Sequence, residues 1–226
     1  MEHNSNNLNI LYLNWKNKEQ VEAVSRLHMK LLPESVLSKL GFLFLSRFYY
    51  KILVKDKFIE VYLYKLKGEY VSFISCSNKP FTFMSEGIKK HFILISILLG
   101  VSIITNPRRL KVLLNMKSEF SKYSSKIDFL QREYDENVGG FLSFGALVTS
   151  GVLEYYRENI NSIKDVSIPD VMMCLVLSHF KSNGKKCFFL MAIKTNFMAI
   201  KLYKKYLGSL PFIDDENESV VIKFDI

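Results

Sequence analysis

The sequence predicts a mixed α/β domain, with helices flanking a sheet that holds both parallel and antiparallel strand pairs. Three observations carry that reading. Apolar residues recur every three or four positions in some stretches, as on the buried face of a helix, and every second position in others, as on a half-buried strand. The two patterns alternate along the chain instead of separating into halves, in the order β, α, α, β, β, an inserted helical block, β, α, β, α, β. Finally, 49% of the 226 residues are hydrophobic, with 18 Phe and 12 Tyr, which suits a single domain over 1–226 with a sizeable core and a helical insertion at about 80–137.

The elements follow in order. Leu8 to Leu13 is a short apolar run and reads as a first strand. Val21, Val24, Leu27 and Leu31 share one face of a helix from about Lys18 to Leu31, and Pro33 ends it. Ser35 is a suitable cap for a second helix that carries Leu37, Leu40, Phe44, Phe48 and Ile52. Ile59, Val61 and Leu63 then alternate with Glu60, Tyr62 and Tyr64, and Lys67-Gly68 turns the chain into Tyr70 to Ser75, a hairpin pattern. Residues 83–125 are helical in pattern, interrupted at Asn106-Pro107, and 117–137 read as a polar surface connection. Gly139-Gly140 opens an apolar strand, Phe141 to Val148. A short helix fits Val152 to Ile163, and a clearer one runs from Ile168 to about Lys181, closed by Asn183-Gly184. Cys187 to Ile193 is apolar on both faces, as a central strand is. A helix over Phe197 to Leu207 and a strand over Val220 to Phe224 complete the chain.

The formal net charge of +9 favours anionic partners: nucleic acid, anionic lipid or a phosphorylated cofactor. The basic residues are scattered and form no nucleic-acid arm, so no nucleic-acid partner is expected. Cys76, Cys174 and Cys187 are odd in number, sit in apolar segments and form no C-x-x-C. They read as small buried hydrophobes in a reducing compartment, the cytoplasm, and not as a disulfide framework or zinc site. The polar N-terminus offers no signal-peptide core. Phe92 to Ile104 is the one membrane-like run, preceded by Lys89 and Lys90 and followed by Pro107-Arg108-Arg109. It is shorter than the ~20 residues that span a bilayer. Packing in the core, packing on a partner and contact with a membrane surface remain open for it.

Several segments resemble a known family. Leu27 to Gly41, continuing through Phe44-Leu45 to Phe48-Tyr49, is similar to the opening "LH…LP.SFLS.LG..FL..FY" of GNAT-type N-acyltransferases. Tyr70 to Ser75 resembles their "IVGFIxG" hairpin, and Phe141 to Val148 their fourth strand. Asn196-Phe197-Met198-Ala199-Ile200-Lys201-Leu202-Tyr203-Lys204-Lys205 resembles their "N..A..LY.K". The resemblance covers most of the chain outside 80–137. It implies a GNAT-like mixed, mostly antiparallel central sheet in which Phe141–Val148 and Cys187–Ile193 run parallel and splay apart, and an acetyl-CoA or other acyl-CoA donor lying in that opening. An amine would attack the thioester directly.

The resemblance also implies site residues. Leu147 and Val148, on the fourth strand, would hold the acyl carbonyl through backbone N–H groups. Lys164, Ser167 and Ile168 stand in the pyrophosphate loop, which in the family reads [QR]-x-x-G-x-[GA]. Here Lys replaces Gln or Arg, Ser167 the first Gly and Pro169 the second. Pro169 lacks an N–H, Asp170 places an acid in the first turn, and Ser167-x-x-Asp170 reads as a capping box. Asn196 is a cofactor contact or a helix cap. Tyr203 is the acid that protonates the departing thiolate, or a core residue with a polar tip. His28 lies where the family walls its acceptor site and is a candidate base, or a satisfied structural histidine. His179 reads as core and His91 as part of the basic approach to the insertion. No Ser-His-Asp, H-E-x-x-H or phosphate-loop pattern occurs.

The leading expectation is an N-acyltransferase acting on a primary amine. Bacterial members with a similar N-terminal helix pair and insertion often use amino sugars of surface polysaccharides, sugar nucleotides among them. The alternative is a non-catalytic GNAT-like binding domain that has lost its acyl-CoA site.

Overall fold

The structure, a computed structural model, describes residues 10–114, 137–146, 168–193, 197–207 and 219–226. Its strands are β1 (Ile10–Tyr12), β2 (Glu60–Leu66), β3 (Glu69–Ser77), β4 (Val138–Ala146), β5 (Cys187–Ile193) and β6 (Ser219–Asp225). They form one six-stranded sheet in the order β1-β2-β3-β4-β5-β6. Every neighbouring pair is antiparallel except β4 and β5, which run parallel as expected. The expected helix at Val152 to Ile163 and the connection at 117–137 lie outside the described residues, apart from Asn137.

Helix α1 (Lys18–Leu31) begins where Asn17 accepts a hydrogen bond from the Gln20 amide, 3.2 Å. Its Val21, Val24 and Leu27 are buried, as their spacing requires. The single second helix expected from Ser35 onward is corrected. Ser35 caps α2 (Val36–Leu40), but Gly41 adopts φ +97° and restarts the chain as α3 (Phe42–Phe44), which continues into a π-helix over Leu45–Leu53. A backbone with positive φ at that point favours glycine. The guanidinium of Arg109 also lies where a Cβ would stand. The hairpin turns at Lys67 and Gly68, both with positive φ, which matches the twist of the flanking strands.

The expected helical stretch at 83–125 also has a second break. Helix α4 (Phe83–Lys90) meets α5 (Phe92–Thr105) at 94°. At the corner, His91 and Lys90 both reach the Asp56 carboxylate, at 2.6 and 2.9 Å. Burial pushes the Asp56 carboxyl up, but the His91 and Lys90 contacts outweigh it and hold it below its usual value. His91 thus braces the bend.

Helices cover both faces of the sheet. On one side α6 (Ile168–Ser182) and α7 (Phe197–Leu207) pack Met172, Met173, Val176, Phe180 and Tyr203 against Ile74, Phe141, Phe188 and Leu190. On the other, α1, the π-helix and α5 enclose Val61, Leu63 and Phe73. Cys76 and Cys187 are buried as expected. Cys174 is exposed, because Met172, Met173 and Val176 take the inner face of α6 and turn it outward.

Gly139 and Gly140 do not merely precede β4; they lie within it. A Cβ on Gly139 would collide with the Phe180 ring, and one on Gly140 with Pro80. Phe180 is fully buried and stacked on Phe188, centroids 5.1 Å apart, so it has nowhere to move. Gly139→Ala is therefore expected to destabilise the fold by about 1–3 kcal/mol, the usual range for overpacking. A lowered urea midpoint with an unchanged m-value would be the signature, and an unaltered midpoint would contradict this packing.

Candidate active site

Strands β4 and β5 pair only over Val138↔Cys187 to Phe141↔Leu190. Both continue beyond that point, each held by its outer neighbour. β4 stays in register with β3 as far as Ala146↔Ser72, and β5 with β6 as far as Ile193↔Ser219. The sheet thus opens as a V whose apex is Phe141 and Leu190. The β4 edge beyond Phe141 has no strand partner on the β5 side among the described residues, which leaves backbone donors and acceptors facing the opening.

A bulge marks the place where the strands part. Ser143 stands opposite Ser75 and Phe141 opposite Cys76, so Leu142 is the extra residue on β4. Bulges bend a strand and redirect its side chains, and they are frequent beside active sites. The sequence carried no legible sign of this one, because Phe141 to Val148 reads as an unbroken apolar run.

Tyr203, on α7, packs its ring edge-on against Phe141, centroids 6.1 Å apart at 78°. It is therefore beside the apex of the V. Burial raises its pKa to about 12, so the phenol stays protonated at neutral pH.

His28 lies behind the bulge, only 1% exposed. Its Nδ1 is 2.5 Å from the Tyr50 hydroxyl and its Nε2 is 3.0 Å from Ser35 Oγ. Ser35 Oγ in turn donates to Ser38 Oγ, so it accepts from Nε2–H and leaves Nδ1 to accept from Tyr50. A neutral ring meets that arrangement. Burial lowers the His28 pKa to about 4. The chain of polar groups continues through Tyr50 to Ser143, and Ser143 Oγ lies 2.5 Å from Ser75 Oγ. Tyr49 joins at both serines. Burial drives both tyrosine pKa values well up. This network ties the α1–α2 junction to the bulged residue pair of β4, and sequence reasoning found only its His28 end. Phe73 stacks on the His28 ring, centroids 5.5 Å apart.

Ile168 opens α6 with its side chain in the core, 3% exposed, so only its backbone is left to face a ligand. Asp170 is likewise buried in the first turn. Leu147, Val148, Lys164, Ser167 and Asn196 lie outside the described residues. His179 is buried as expected, but it also reaches charged and polar partners. Its Nδ1 is 3.1 Å from both Glu60 Oε2 and the Tyr62 hydroxyl. Among the described residues no group of three His, Cys, Asp or Glu is placed to hold a metal ion.

No family model and no curated protein matches this sequence. Solved structures do match its fold. PH1933 from Pyrococcus horikoshii OT3 superposes with a TM-score of 0.50 at 14% identity, covering 96% of this chain and 98% of that one. The GNAT domain of PAT from S. lividans superposes with a TM-score of 0.50 at 8% identity, covering 96% and 89%. The PaiA N-acetyltransferase from Thermoplasma acidophilum, in complex with coenzyme A, gives 0.48 at 8% identity over 96% and 99%. Identities this low speak for fold and leave chemistry to the site. A parallel strand pair that parts inside an otherwise antiparallel sheet, together with superposition on a GNAT domain along nearly the whole chain, gives this protein the GNAT fold.

Proposed function

We propose that this protein is an N-acyltransferase that moves an acetyl or other acyl group from acyl-CoA to a primary amine. An amino sugar of a surface-polysaccharide precursor, carried as a sugar nucleotide, is the acceptor class. The observation that supports this best is the pairing of β4 with β5 that stops at Phe141↔Leu190, with Tyr203 against Phe141.

The opening suits an extended thioester-bearing arm, because the inner edge of β4 can bind it through the backbone. Acyl-CoA, when bound, supplies the activated carbonyl and a thiolate leaving group. The amine nitrogen forms the new bond as the carbon–sulfur bond breaks, and the nitrogen loses its proton to solvent. Tyr203 donates its phenolic proton to the sulfur and recovers one from solvent. Its buried position keeps it in the acid form that this role needs. His28 is enclosed among the described residues, and its neutral, doubly hydrogen-bonded ring favours the structural of its two readings. Through Tyr50 and Ser143 it would position the bulge of β4. The donor-side roles of Leu147, Val148, Lys164, Ser167 and Asn196 rest on the sequence resemblance.

One observation favours the second reading, a GNAT-like domain without acyl-CoA chemistry. The start of α6 is a poor anion site, since Pro169 offers no N–H and Asp170 brings an acid to the first turn.

Acetyl-CoA titration separates the two. A ligand at one hundred times its Kd adds about 2.7 kcal/mol of apparent stability, which raises Tm by several degrees in a chain of this size. That shift is expected here, with thiol release when amino-sugar nucleotides are added. No shift at millimolar acetyl-CoA would favour the binding-domain reading.

A further inference from the structure

Helix α5 turns one face inward and leaves the other bare. Ile95, Leu98 and Ser102 are buried against the N-terminal helices, and Ser102 Oγ donates to the Leu40 carbonyl at 2.7 Å. Arg109 folds back onto the same helix, with Nη1 3.2 Å from the Ser102 carbonyl and 3.2 Å from Thr105 Oγ1. The outer face follows the i, i+3/i+4 spacing of a single stripe and carries Ile93 (76% exposed), Ile97 (58%), Val101 and Ile104 (82%). Phe92 widens it at one end, and the exposed Leu110 and Leu114 lie in the helical stretch that follows. Scattered exposed apolar side chains are ordinary, but a contiguous stripe of large ones marks a surface that is covered in use.

Charge identifies what covers it. Between Gly87 and Leu114 the chain carries Lys89, Lys90, Arg108, Arg109 and Lys111 and no acidic residue. Lys89, Arg108 and Lys111 are exposed, and they sit beyond the two ends of the apolar stripe. An apolar face bounded by exposed cations suits a bilayer with anionic headgroups, where the side chains enter the acyl boundary and the cations meet phosphates. We infer that the exposed face of α5 docks this protein on the surface of an anionic phospholipid membrane. The helix lies in the interface and does not cross it. Its 14 residues reach ~21 Å against a hydrocarbon core of ~30 Å. The 94° corner at His91 prevents α4 from extending it, and its inner face is already packed on protein.

The docking does not depend on the acyl-transfer reading and is tested without substrate. The whole protein is sedimented with vesicles of phosphatidylcholine alone and of phosphatidylcholine with 30% phosphatidylglycerol. Binding to the anionic vesicles is expected, falling about tenfold or more on pure phosphatidylcholine, where the headgroup charge is lost. A similar fall is expected for Ile97→Glu with Ile104→Glu. Both substituted side chains are exposed, so the fold survives, and an unchanged Tm verifies that. Lys89→Gln, Arg108→Gln and Lys111→Gln together should abolish the preference for anionic vesicles. The inference is overturned if the protein stays in the supernatant with both vesicle types, or if the Ile97/Ile104 variant binds as well as the parent. It is also overturned if sedimentation velocity shows a dimer that this variant dissociates, since a second copy would then cover the face.

Discussion

Replacing Tyr203 by Phe is expected to lower kcat by about 10²–10⁴-fold, the usual contribution of a positioned general acid, with acyl-CoA binding nearly unchanged. The substitution deletes one oxygen and keeps the ring that packs on Phe141 at the apex of the strand opening. If Tyr203 only fills space, Phe fills it equally well and turnover stays the same. The two roles therefore separate in one variant. A loss of kcat with the donor Kd preserved supports proton donation to the departing sulfur. Unchanged turnover would leave Tyr203 as a packing residue and require another acid. Because burial raises the Tyr203 pKa to about 12, ionisation of this residue should cost no activity between pH 7 and 9.

The fold is expected to lose roughly 3 kcal/mol of stability as pH falls from about 6.5 to about 4, through His28 alone. The unfolded imidazole takes up its proton near its ordinary pKa, whereas the buried one resists until about pH 4. Below 6.5 the unfolded state thus binds more protons, and the equilibrium shifts toward it. The contribution is present in full above pH 6.5 and is lost by about pH 4. His179 acts with the same sign, since burial lowers its pKa against the opposing pull of Glu60. Urea midpoints at pH 7.5, 6 and 4.5 measure the effect. His28→Gln should be less stable at pH 7.5, because it disturbs the contacts with Tyr50 and Ser35, yet it should show a flatter pH profile than the parent. Parallel profiles for the two proteins would mean that His28 is not the group responsible.

Most of the scaffold was legible in the sequence because its signals are local. The faces of α1 and α6 follow from helical spacing, and the β2–β3 hairpin from alternation around Lys67-Gly68. β5 follows from a run that is apolar on both sides. What escaped depends on contacts distant in sequence. Gly41 breaks the second helix where Arg109, far along the chain, lies over it. The α4–α5 corner depends on Asp56 reaching both Lys90 and His91. The Gly139-Gly140 pair reads only as the opening of a strand until Phe180 and Pro80 are seen to occupy the space where its Cβ atoms would stand. At the site, the resemblance singled out Tyr203 and His28. It did not reveal the Leu142 bulge, which exists only in the register of β3 against β4. Nor did it reveal Tyr49, Tyr50, Ser75 and Ser143, which single-chain spacing gives no reason to group. Exposure of one face of α5 was equally hidden, since an all-apolar helix reads alike whether buried or bare.

A crystal structure of the protein grown with CoA would decide whether acyl-CoA binds where β4 and β5 part. The pantetheine arm is expected between the diverging strands beyond Phe141 and Leu190, hydrogen-bonded to the inner edge of β4, with its sulfur within reach of the Tyr203 hydroxyl. CoA bound elsewhere on the molecule, or an opening that stays empty of CoA at millimolar concentration, would contradict it.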